Sequence, residues 1–363
     1  MHLVPTPKHH GRHEDDDEAR RSRLGAKQQR GCKERYCAAC RTERRDCRDG
    51  GRDDGRKLRA RSEGVKNDWC DDEGKAGHGA NPKSQCERAS QAEYPVHHEA
   101  VVARVSGPDP LSVALDAARE AGALLLAASL HPLEIREKGS RADLVTNADR
   151  AAEDCIARHL LGAFPQAALL GEEGGARDGM SGERWIVDPL DGTTNYAHGY
   201  PLFCVSIAYE RDGALLAGVV YAPALGECFA AELGAGATRN GRPIRVSSIA
   251  RLGDALTCTG FNPSDFERNA PYFRAISHRA QAVRRDGSAA LDLAYVACGR
   301  FDGFWEFGLS PWDVAAGTLL IAEAGGHISQ CDGSPARVDA RSILATNGLI
   351  HKELEAALRA VDG

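Results

Sequence analysis

The most informative stretch of the sequence is the run of twelve residues from Trp185 to Tyr196, WIVDPLDGTTNY. The apolar residues at the start of this stretch read as a buried strand, and two aspartates follow it, three positions apart. Pro189 fixes its own φ angle and forces a turn after the strand. This turn predicts that Asp188, Asp191 and the backbone carbonyl of Leu190 meet at one place.

The end of the same stretch is suited to a phosphate group. Gly192 has no side chain, so the backbone there can approach a ligand closely. If Thr193 and Thr194 begin a helix, the N–H groups of its first turn point toward the two aspartates, and a helix N-terminus readily binds an anion. Carboxylates and N–H donors at one place indicate chemistry on a phosphate ester.

Two more acidic positions lie before and after this stretch. Glu172 follows a short apolar strand over Ala167–Leu170, and Asp313 opens an Ala-rich helix that is predicted to reach Ala324. Carboxylates at the ends of buried strands are costly unless they are paired or bound to a metal. Oxygen ligands without His or Cys at ligand spacing suit Mg²⁺ or Mn²⁺ rather than zinc. The pattern therefore predicts metal-assisted hydrolysis of a phosphate ester.

The sequence around these acids alternates between helical and strand patterns. Helices are predicted at Leu111–Leu130, Ala148–Ala163, Phe266–His278 and Ala289–Cys298. Strands are predicted at Trp185–Val187, Phe203–Tyr209, Leu215–Tyr221, Glu227–Ala231 and Phe304–Phe307, with a tight turn at Asn240-Gly241. Helices mixed with antiparallel strands indicate an α/β layered sandwich.

The run from Trp185 to Tyr196 resembles the signature of the inositol monophosphatase family. Gly171-Glu172-Glu173 and the run from Trp312 to Gly317 are similar to two companion motifs of that family, and Lys138 to Asp149 resembles its mobile loop and the following helix. The similarity covers Leu111 to Glu355, with the motifs in the family's order. The resemblance implies an αβαβα sandwich with mixed and antiparallel sheets.

The resemblance also implies a role for each matching residue. The metal ligands are Glu172, Asp188, the Leu190 carbonyl, Asp191 and Asp313, and they would bind about two or three Mg²⁺ ions. The residues that activate the attacking water are Glu172 and Thr193, with Asp149 in support. The substrate contacts are the N–H groups of Gly192 and Thr193, Ala289 with its neighbours, Glu306, and Lys138 on the closing loop. The family further implies lithium sensitivity and a homodimer.

The same acids also fit plainer roles. Aspartate favours turns and helix N-caps, and Asp149 stands three residues after Thr146, as the acid of a capping box does. In that interpretation Thr193 only caps a helix, and Glu306 and Lys138 are ordinary solvated charges. The ordered set of motifs favours the metal site.

The expected reaction is hydrolysis of inositol 1-phosphate, a small phosphorylated polyol, to inositol and phosphate. Relatives that act on 3′,5′-bisphosphonucleotides or histidinol phosphate often carry Lys where this chain has Thr194, and the acid at Glu306 would repel the second phosphate of fructose 1,6-bisphosphate. These substrates nevertheless stay open as alternatives. A further alternative is a largely non-catalytic protein-binding partner in RNA metabolism.

Residues 1–105 differ in composition from the rest of the chain. They hold 23 Lys or Arg and 19 Asp or Glu, a net charge of +4, whereas residues 106–363 carry −10, which does not favour direct contact with nucleic acid. Such a polar segment buries too little apolar surface to offset the entropy of ordering it. We expect a disordered, low-complexity tail before a catalytic domain at 106–363. The tail also fits upstream sequence translated in frame, with a start near Val101–Val105.

The 12 cysteines fall into two groups. Four in the tail lie close together between Cys32 and Cys47, a weak zinc pattern because it has one Cys-x2-Cys pair and few apolar neighbours. The six in the domain lie singly in apolar stretches and are expected to be reduced core residues. The sequence shows neither a secretory signal nor a stretch long enough to cross a bilayer. A cytoplasmic protein without membrane contact is therefore expected.

Overall fold

The computed structural model of the chain describes residues 107–133, 135–137, 144–261 and 265–362. The predictions for the tail at 1–105 and for Lys138 fall outside these residues. The described residues form helices α1 Pro110–Ala128, α2 Asn147–Ala163, α3 Thr193–Ala197, α4 Phe266–Ser277, α5 Ala289–Ala297, α6 Pro311–Glu323 and α7 His351–Asp362. A 3₁₀ turn spans Leu252–Asp254.

The strands are also numbered in chain order. They are β1 Ile135–Glu137, β2 Leu144–Thr146, β3 Ala168–Gly171, β4 Gly175–Arg177, β5 Glu183–Asp191, β6 Cys204–Arg211, β7 Ala214–Ala222, β8 Glu227–Glu232, β9 Gly236–Arg239, β10 Arg242–Pro243, β11 Leu256–Gly260, β12 Ala282–Arg284, β13 Gly303–Phe307, β14 His327–Ser329 and β15 Ser342–Thr346. The predicted turn joins β9 to β10, with positive φ angles at both Asn240 and Gly241.

Two large sheets carry the architecture. The eight-stranded sheet has the order β10-β9-β8-β7-β6-β5-β3-β4 and is antiparallel except where β3 pairs with β5. The five-stranded sheet has the order β12-β11-β13-β15-β14, with β11 parallel to both of its neighbours. Strands β1 and β2 form a separate antiparallel pair.

Helices cover both faces of both sheets. Helices α1 and α2 pack on one face of the eight-stranded sheet, α5 and α6 lie between the two sheets, and α4 and α7 cover the outer face of the five-stranded sheet. A separate apolar core fills each of the three interfaces between a sheet and its helices or between the sheets. The αβαβα sandwich with mixed sheets that the sequence predicted is confirmed.

Strand β5 shows how this fold orients the first acid. Trp185 and Val187 point into the core beneath α1 and α2, whereas Ile186 points toward α5 and α6. Because successive side chains of a strand point to opposite faces, Asp188 lies on the same side as Ile186. Alternation thus directs a carboxylate into the layer between the sheets.

The strand is longer than the sequence analysis expected. The prediction ended it at Val187 with a turn at Pro189, but pairing with β6 continues to Asp191, and the register shifts between Asp188 and Asp191. Proline has no N–H to donate to the ladder. Strands β5 and β6 therefore stop pairing after Asp188 and pair again at Asp191. The irregularity separates the two aspartates along one strand end and does not end the strand.

The six domain cysteines are free thiols, and four of them are buried. This agrees with the expectation of reduced cysteines in the domain. None of the described helices combines the length and the apolar character needed to cross a membrane.

Candidate active site

Asp188 lies at the centre of a group of carboxylates. It is 1% exposed, and its side chain accepts a hydrogen bond from the Leu190 N–H at 2.9 Å. Burial raises the pKa of Asp188 well above its usual value, and the negative charges of Glu172, Asp191 and Asp313 raise this pKa further. The structure therefore brings the other three predicted acidic ligands close to the buried Asp188.

Glu172 reaches this place because β3 and β5 are parallel neighbours. Gly171 pairs with Val187, and the Glu172 N–H donates to the Val187 carbonyl at 3.3 Å. The two strands therefore end side by side, one followed by Glu172 and the other carrying Asp188.

The turn after Glu172 is held by a residue that sequence reasoning missed. Glu153, on α2, is 7% exposed and accepts hydrogen bonds from the Glu173 N–H at 2.9 Å and the Gly174 N–H at 2.6 Å. A Cβ at Gly171 would lie 2.7 Å from the Glu153 carboxylate, so the turn leaves no room for a side chain there. Glu153 stands one helical turn after Asp149, and this spacing was the signal in the sequence.

Asp191 is fixed by the start of α5. Its Oδ2 accepts hydrogen bonds from the Ser288 hydroxyl at 2.7 Å and from the Ala290 N–H at 2.8 Å, and the Cys204 thiol lies 3.7 Å away. Burial raises the pKa of Asp191, whereas these donors and the Ala289 N–H lower it. The segment around Ala289, predicted to contact the alcohol, thus also positions a carboxylate.

Asp313 is the acid of a capping box at the start of α6. Its Oδ2 accepts a hydrogen bond from the Ser310 N–H at 2.7 Å, and the Ser310 side chain caps the helix in return. The Ser206 hydroxyl on β6 donates to the Trp312 carbonyl at 3.1 Å and ties this helix start to the eight-stranded sheet. Local capping and one tertiary contact together place Asp313 beside Asp188.

Asp149 is the acid of a second capping box, at the start of α2, as the sequence predicted. It is 1% exposed, and its Oδ2 accepts the Thr146 N–H at 2.9 Å and the Thr146 hydroxyl. The Thr193 hydroxyl lies 3.2 Å from Asp149 Oδ1 and 3.1 Å from the Leu190 carbonyl. Thr193 therefore contacts both Asp149, its predicted support, and the carbonyl of Leu190, a predicted metal ligand.

Gly192 joins β5 to α3 in a conformation that favours glycine. Its φ angle is +92°, and a Cβ there would lie 2.9 Å from the Leu202 carbonyl. Asn195 fixes the same turn, because its Nδ2 donates to the carbonyls of Leu202 at 2.7 Å and Asp286 at 2.8 Å. Asn195 stands in the signature stretch, but its link to the loop before α5 could not be read from the sequence.

Glu306 points from β13 toward the same carboxylates. Burial raises its pKa well above the usual value, the charges of Asp313 and Asp191 add to this, and Arg285 opposes it. Its carboxylate lies against Gly260 on the neighbouring strand, at a point where a side chain would not fit. Among the predicted substrate contacts, Gly192, Thr193, Ala289 and Glu306 surround the acidic group, and Lys138 lies outside the described residues.

The donor set fits a hard divalent cation. The predicted ligands offer carboxylate oxygens and one backbone carbonyl, which is the ligand chemistry of Mg²⁺. Three carboxylates around the buried Asp188 repel it, and a divalent cation would offset that repulsion. On chemical grounds these residues are suited to hold Mg²⁺.

Comparison with known proteins identifies the family. The model of the inositol monophosphatase family matches residues 109–362. The chain belongs to this family. It is 46% identical over 254 residues to the inositol-1-monophosphatase of Synechocystis sp., a match that covers 69% of this chain and 88% of that protein. It is also 46% identical to the Nus factor SuhB of Pseudomonas aeruginosa, over 67% of this chain and 93% of that protein.

A solved structure extends the comparison to the fold. The inositol monophosphatase of Anabaena (Nostoc) sp. has a TM-score of 0.63 and 45% sequence identity, with 69% of this chain and 95% of that chain covered. Membership in the inositol monophosphatase family supports a metal-dependent phosphatase that acts on a phosphorylated substrate.

Proposed function

We propose that this protein is a Mg²⁺-dependent phosphatase of small phosphate monoesters, with inositol 1-phosphate as its substrate. The observation that carries the proposal is the group of Glu172, Asp188, Asp191 and Asp313 around one buried position. Such a concentration of buried negative charge is costly without a cation, and it lies beside the glycine turn at the start of α3.

In the proposed site Mg²⁺ is held by the four carboxylates and the Leu190 carbonyl. When bound, Mg²⁺ polarises the phosphoryl oxygens and stabilises negative charge on the leaving oxygen. The N–H groups of Gly192 and Thr193 lie at the start of α3, where N–H groups have no acceptor within the helix, and they are proposed to hold the phosphate.

The proposed activation of the attacking water uses Glu172 and Thr193, with Asp149 in support. A hydroxyl has one proton, so Thr193 donates either to Asp149 or to the Leu190 carbonyl. When the Leu190 oxygen serves as a ligand, the Thr193 proton is left to Asp149, and the Thr193 lone pairs then face the attacking water. Glu172 accepts the proton of that water as general base.

The proposed alcohol subsite explains the choice of substrate. Glu306 is an acceptor for a polyol hydroxyl, and its negative charge disfavours a second phosphate at that position. Ala289 and its neighbours are proposed to contact the same alcohol, and Lys138 is proposed to contact the substrate from the closing loop. These features support inositol 1-phosphate over fructose 1,6-bisphosphate.

The test is phosphate release in the presence of Mg²⁺ from inositol 1-phosphate, fructose 1,6-bisphosphate, histidinol phosphate and a 3′,5′-bisphosphonucleotide. We expect the highest kcat/KM for inositol 1-phosphate, lithium inhibition, and loss of turnover in Asp191→Asn. Preference for another ester would replace the substrate and keep the mechanism. The absence of turnover with all four, in folded protein that binds Mg²⁺, would refute the proposal.

A second candidate function is suggested by the relatives named Nus factor SuhB, of which one is 46% identical to this chain. In this alternative the protein acts as a binding partner of other proteins in RNA metabolism, and hydrolysis is dispensable. Replacement of the native protein by Asp191→Asn in cells separates the two. A retained phenotype would favour the binding role, and a lost phenotype would favour the phosphatase.

We further propose that the enzyme is a cytoplasmic homodimer. The free thiols of the domain suit a reducing compartment. Sedimentation of the full chain at several concentrations would test the dimer.

A further inference from the structure

A second group of ionisable side chains borders the four carboxylates and shares no residue with them. Cys258 on β11, Asp286 in the loop before α5 and Asp292 on α5 each offer one ligand atom, and these atoms lie within 4.8 Å of one another. Sequence reasoning predicted Cys258 only as a reduced core residue and assigned no role to Asp286 or Asp292.

The thiol and one of the two carboxylates are almost fully enclosed. Cys258 is 0% exposed and Asp292 is 1% exposed, whereas Asp286 is half-buried. Asp292 Oδ1 has no hydrogen-bond partner among the described residues. A buried carboxylate oxygen without a partner is rare in folded proteins, so it points to a group that the side chains do not supply.

The hydrogen bonds within this cluster do not provide a partner for every buried polar atom. Burial raises the pKa of Cys258, and the Cys258 thiol hydrogen-bonds Asp292. Burial also raises the pKa values of Asp286 and Asp292. The thiol has one proton to donate, and the neighbouring acids Glu306 and Asp191 add further negative charge near Asp292. The thiol does not reach Asp292 Oδ1, which has no hydrogen-bond partner among the described residues.

We propose that Cys258, Asp286 and Asp292 bind a thiophilic divalent cation of the zinc type. Zn²⁺ accepts cysteine sulfur and aspartate oxygen in one coordination shell, and tetrahedral sites are often completed by water. On binding, the Cys258 proton and any carboxyl protons pass to solvent, and two positive charges meet three negative ligands. Arg284, which lowers the pKa of Asp286, offsets part of the remaining negative charge.

This cation site is chemically distinct from the proposed magnesium site. The thiolate selects a softer cation than carboxylate oxygens alone do. Half-buried Asp286 provides the route from solvent. A cation here would link β11 to the start of α5, where Ser288 and Ala290 hold Asp191. The proposal does not depend on which ester the enzyme hydrolyses.

The test uses the full chain, stripped with a chelator and then saturated with Mg²⁺ so that the oxygen ligands are occupied by a hard cation. One portion is incubated with excess Zn²⁺, and the zinc that stays bound after dialysis is measured by elemental analysis. A second portion is titrated with Co²⁺ while the thiolate-to-cobalt charge-transfer absorption is recorded. We expect wild type to hold about one equivalent more zinc than Cys258→Ser, and Asp292→Asn to bind Co²⁺ at least about tenfold more weakly.

Matched controls remove the contribution of other cysteines. The tail cysteines are present in every variant, so they cancel in the comparison. Cys298→Ser removes a half-buried thiol outside the cluster and should keep the absorption band. Equal zinc content and equal absorption in wild type and Cys258→Ser would overturn the proposal. If circular dichroism shows that Cys258→Ser is unfolded, unchanged Co²⁺ affinity in both Asp286→Asn and Asp292→Asn would overturn it.

Discussion

Two helices of this protein begin with the same local motif and put it to different use. Thr146 and Asp149 form a capping box at the start of α2, and Ser310 and Asp313 form one at the start of α6. In both, the aspartate accepts the N–H of the residue three positions earlier, at 2.9 Å and 2.7 Å. The motif therefore places each carboxylate with similar local geometry.

The surroundings of the two carboxylates differ. Asp149 is 1% exposed, and hydroxyl groups of Thr146 and Thr193 contact it. Asp313 is half-buried and faces the negative charges of Asp188 and Glu306. A carboxylate surrounded by donors is suited to orient a hydroxyl, whereas one surrounded by carboxylates is suited to bind a cation. The tertiary neighbours, and not the motif, set the chemistry.

The largest effect is expected for Asp313→Asn. The amide oxygen still accepts the Ser310 N–H, so the helix cap persists, but the cation loses an anionic ligand. Charge stabilisation by a metal is worth several kcal/mol, and each step of about 1.4 kcal/mol is tenfold in rate. We expect kcat/KM to fall by about a thousandfold and the Mg²⁺ concentration for half-activation to rise.

The control for Asp313→Asn is thermal unfolding without metal. A preserved cap predicts a Tm within about 4 °C of wild type, because loss of a cap costs about 1 kcal/mol. Wild-type Mg²⁺ activation in Asp313→Asn would contradict the proposed role of Asp313 as a metal ligand. The aspartates of the two capping boxes would then not differ in metal binding.

A smaller and different effect is expected for Asp149→Asn. The amide turns an N–H₂ group toward Thr193 or Thr146, so Thr193 no longer has a carboxylate that accepts its proton. We expect kcat to fall by about tenfold to a hundredfold, below the full contribution of a general base. Steady-state kinetics against Mg²⁺ concentration should show unchanged half-activation. A raised Mg²⁺ requirement would mean that both boxes serve the cation.

The substitutions Thr193→Val and Thr193→Ser test whether Asp149 acts through the Thr193 hydroxyl. Valine keeps the branched shape and removes the hydroxyl, so its kcat should match that of Asp149→Asn, and the double variant should be no slower than either single variant. Serine keeps the hydroxyl but rotates more freely about χ1, and we expect kcat within about threefold of wild type. Additive losses in the double variant would show that Asp149 and Thr193 act independently.

The sequence predicted these features to the extent that they are local. The start of β5 was predicted as a buried strand, and the capping box of Thr146 and Asp149 was predicted from its spacing. The box of Ser310 and Asp313 has the same three-residue spacing. Gly192 was predicted to allow close approach of a ligand, and this stays a prediction; its φ angle of +92° is a separate reason for glycine at this position.

The contacts that the sequence could not reveal join distant segments. Glu153 lies 20 residues before the N–H group of Glu173 that it holds, and Asn195 lies 91 residues before Asp286. The predicted end of β5 was wrong. Proline indicates a turn when only its neighbours in sequence are considered, whereas in the structure β5 pairs with β6 again beyond the proline. Strand pairing across the sheet is a tertiary effect that outweighs this local signal.

The smallest effect concerns the pH dependence of stability, and it tests the Asp149 box alone. Burial raises the pKa of folded Asp149 above its ordinary value of 3.8, against the opposing hydrogen bonds from Thr146. Folded protein thus binds this proton more tightly than unfolded protein does. The resulting stabilisation is fully present below about pH 3.8 and is lost as the pH rises through the raised pKa.

The Asp149→Asn variant has no carboxylate to protonate at this position, and the other ionisable groups titrate almost alike in the variant and in wild type. In metal-free protein, the Tm of Asp149→Asn minus that of wild type should therefore increase as the pH rises from about 4 toward neutrality. Each 1 kcal/mol of linked free energy corresponds to about 2–4 °C. Parallel Tm curves would show that the donors around Asp149 fully offset its burial. The two boxes would then differ in their distance from the other carboxylates and not in how well each carboxylate is satisfied.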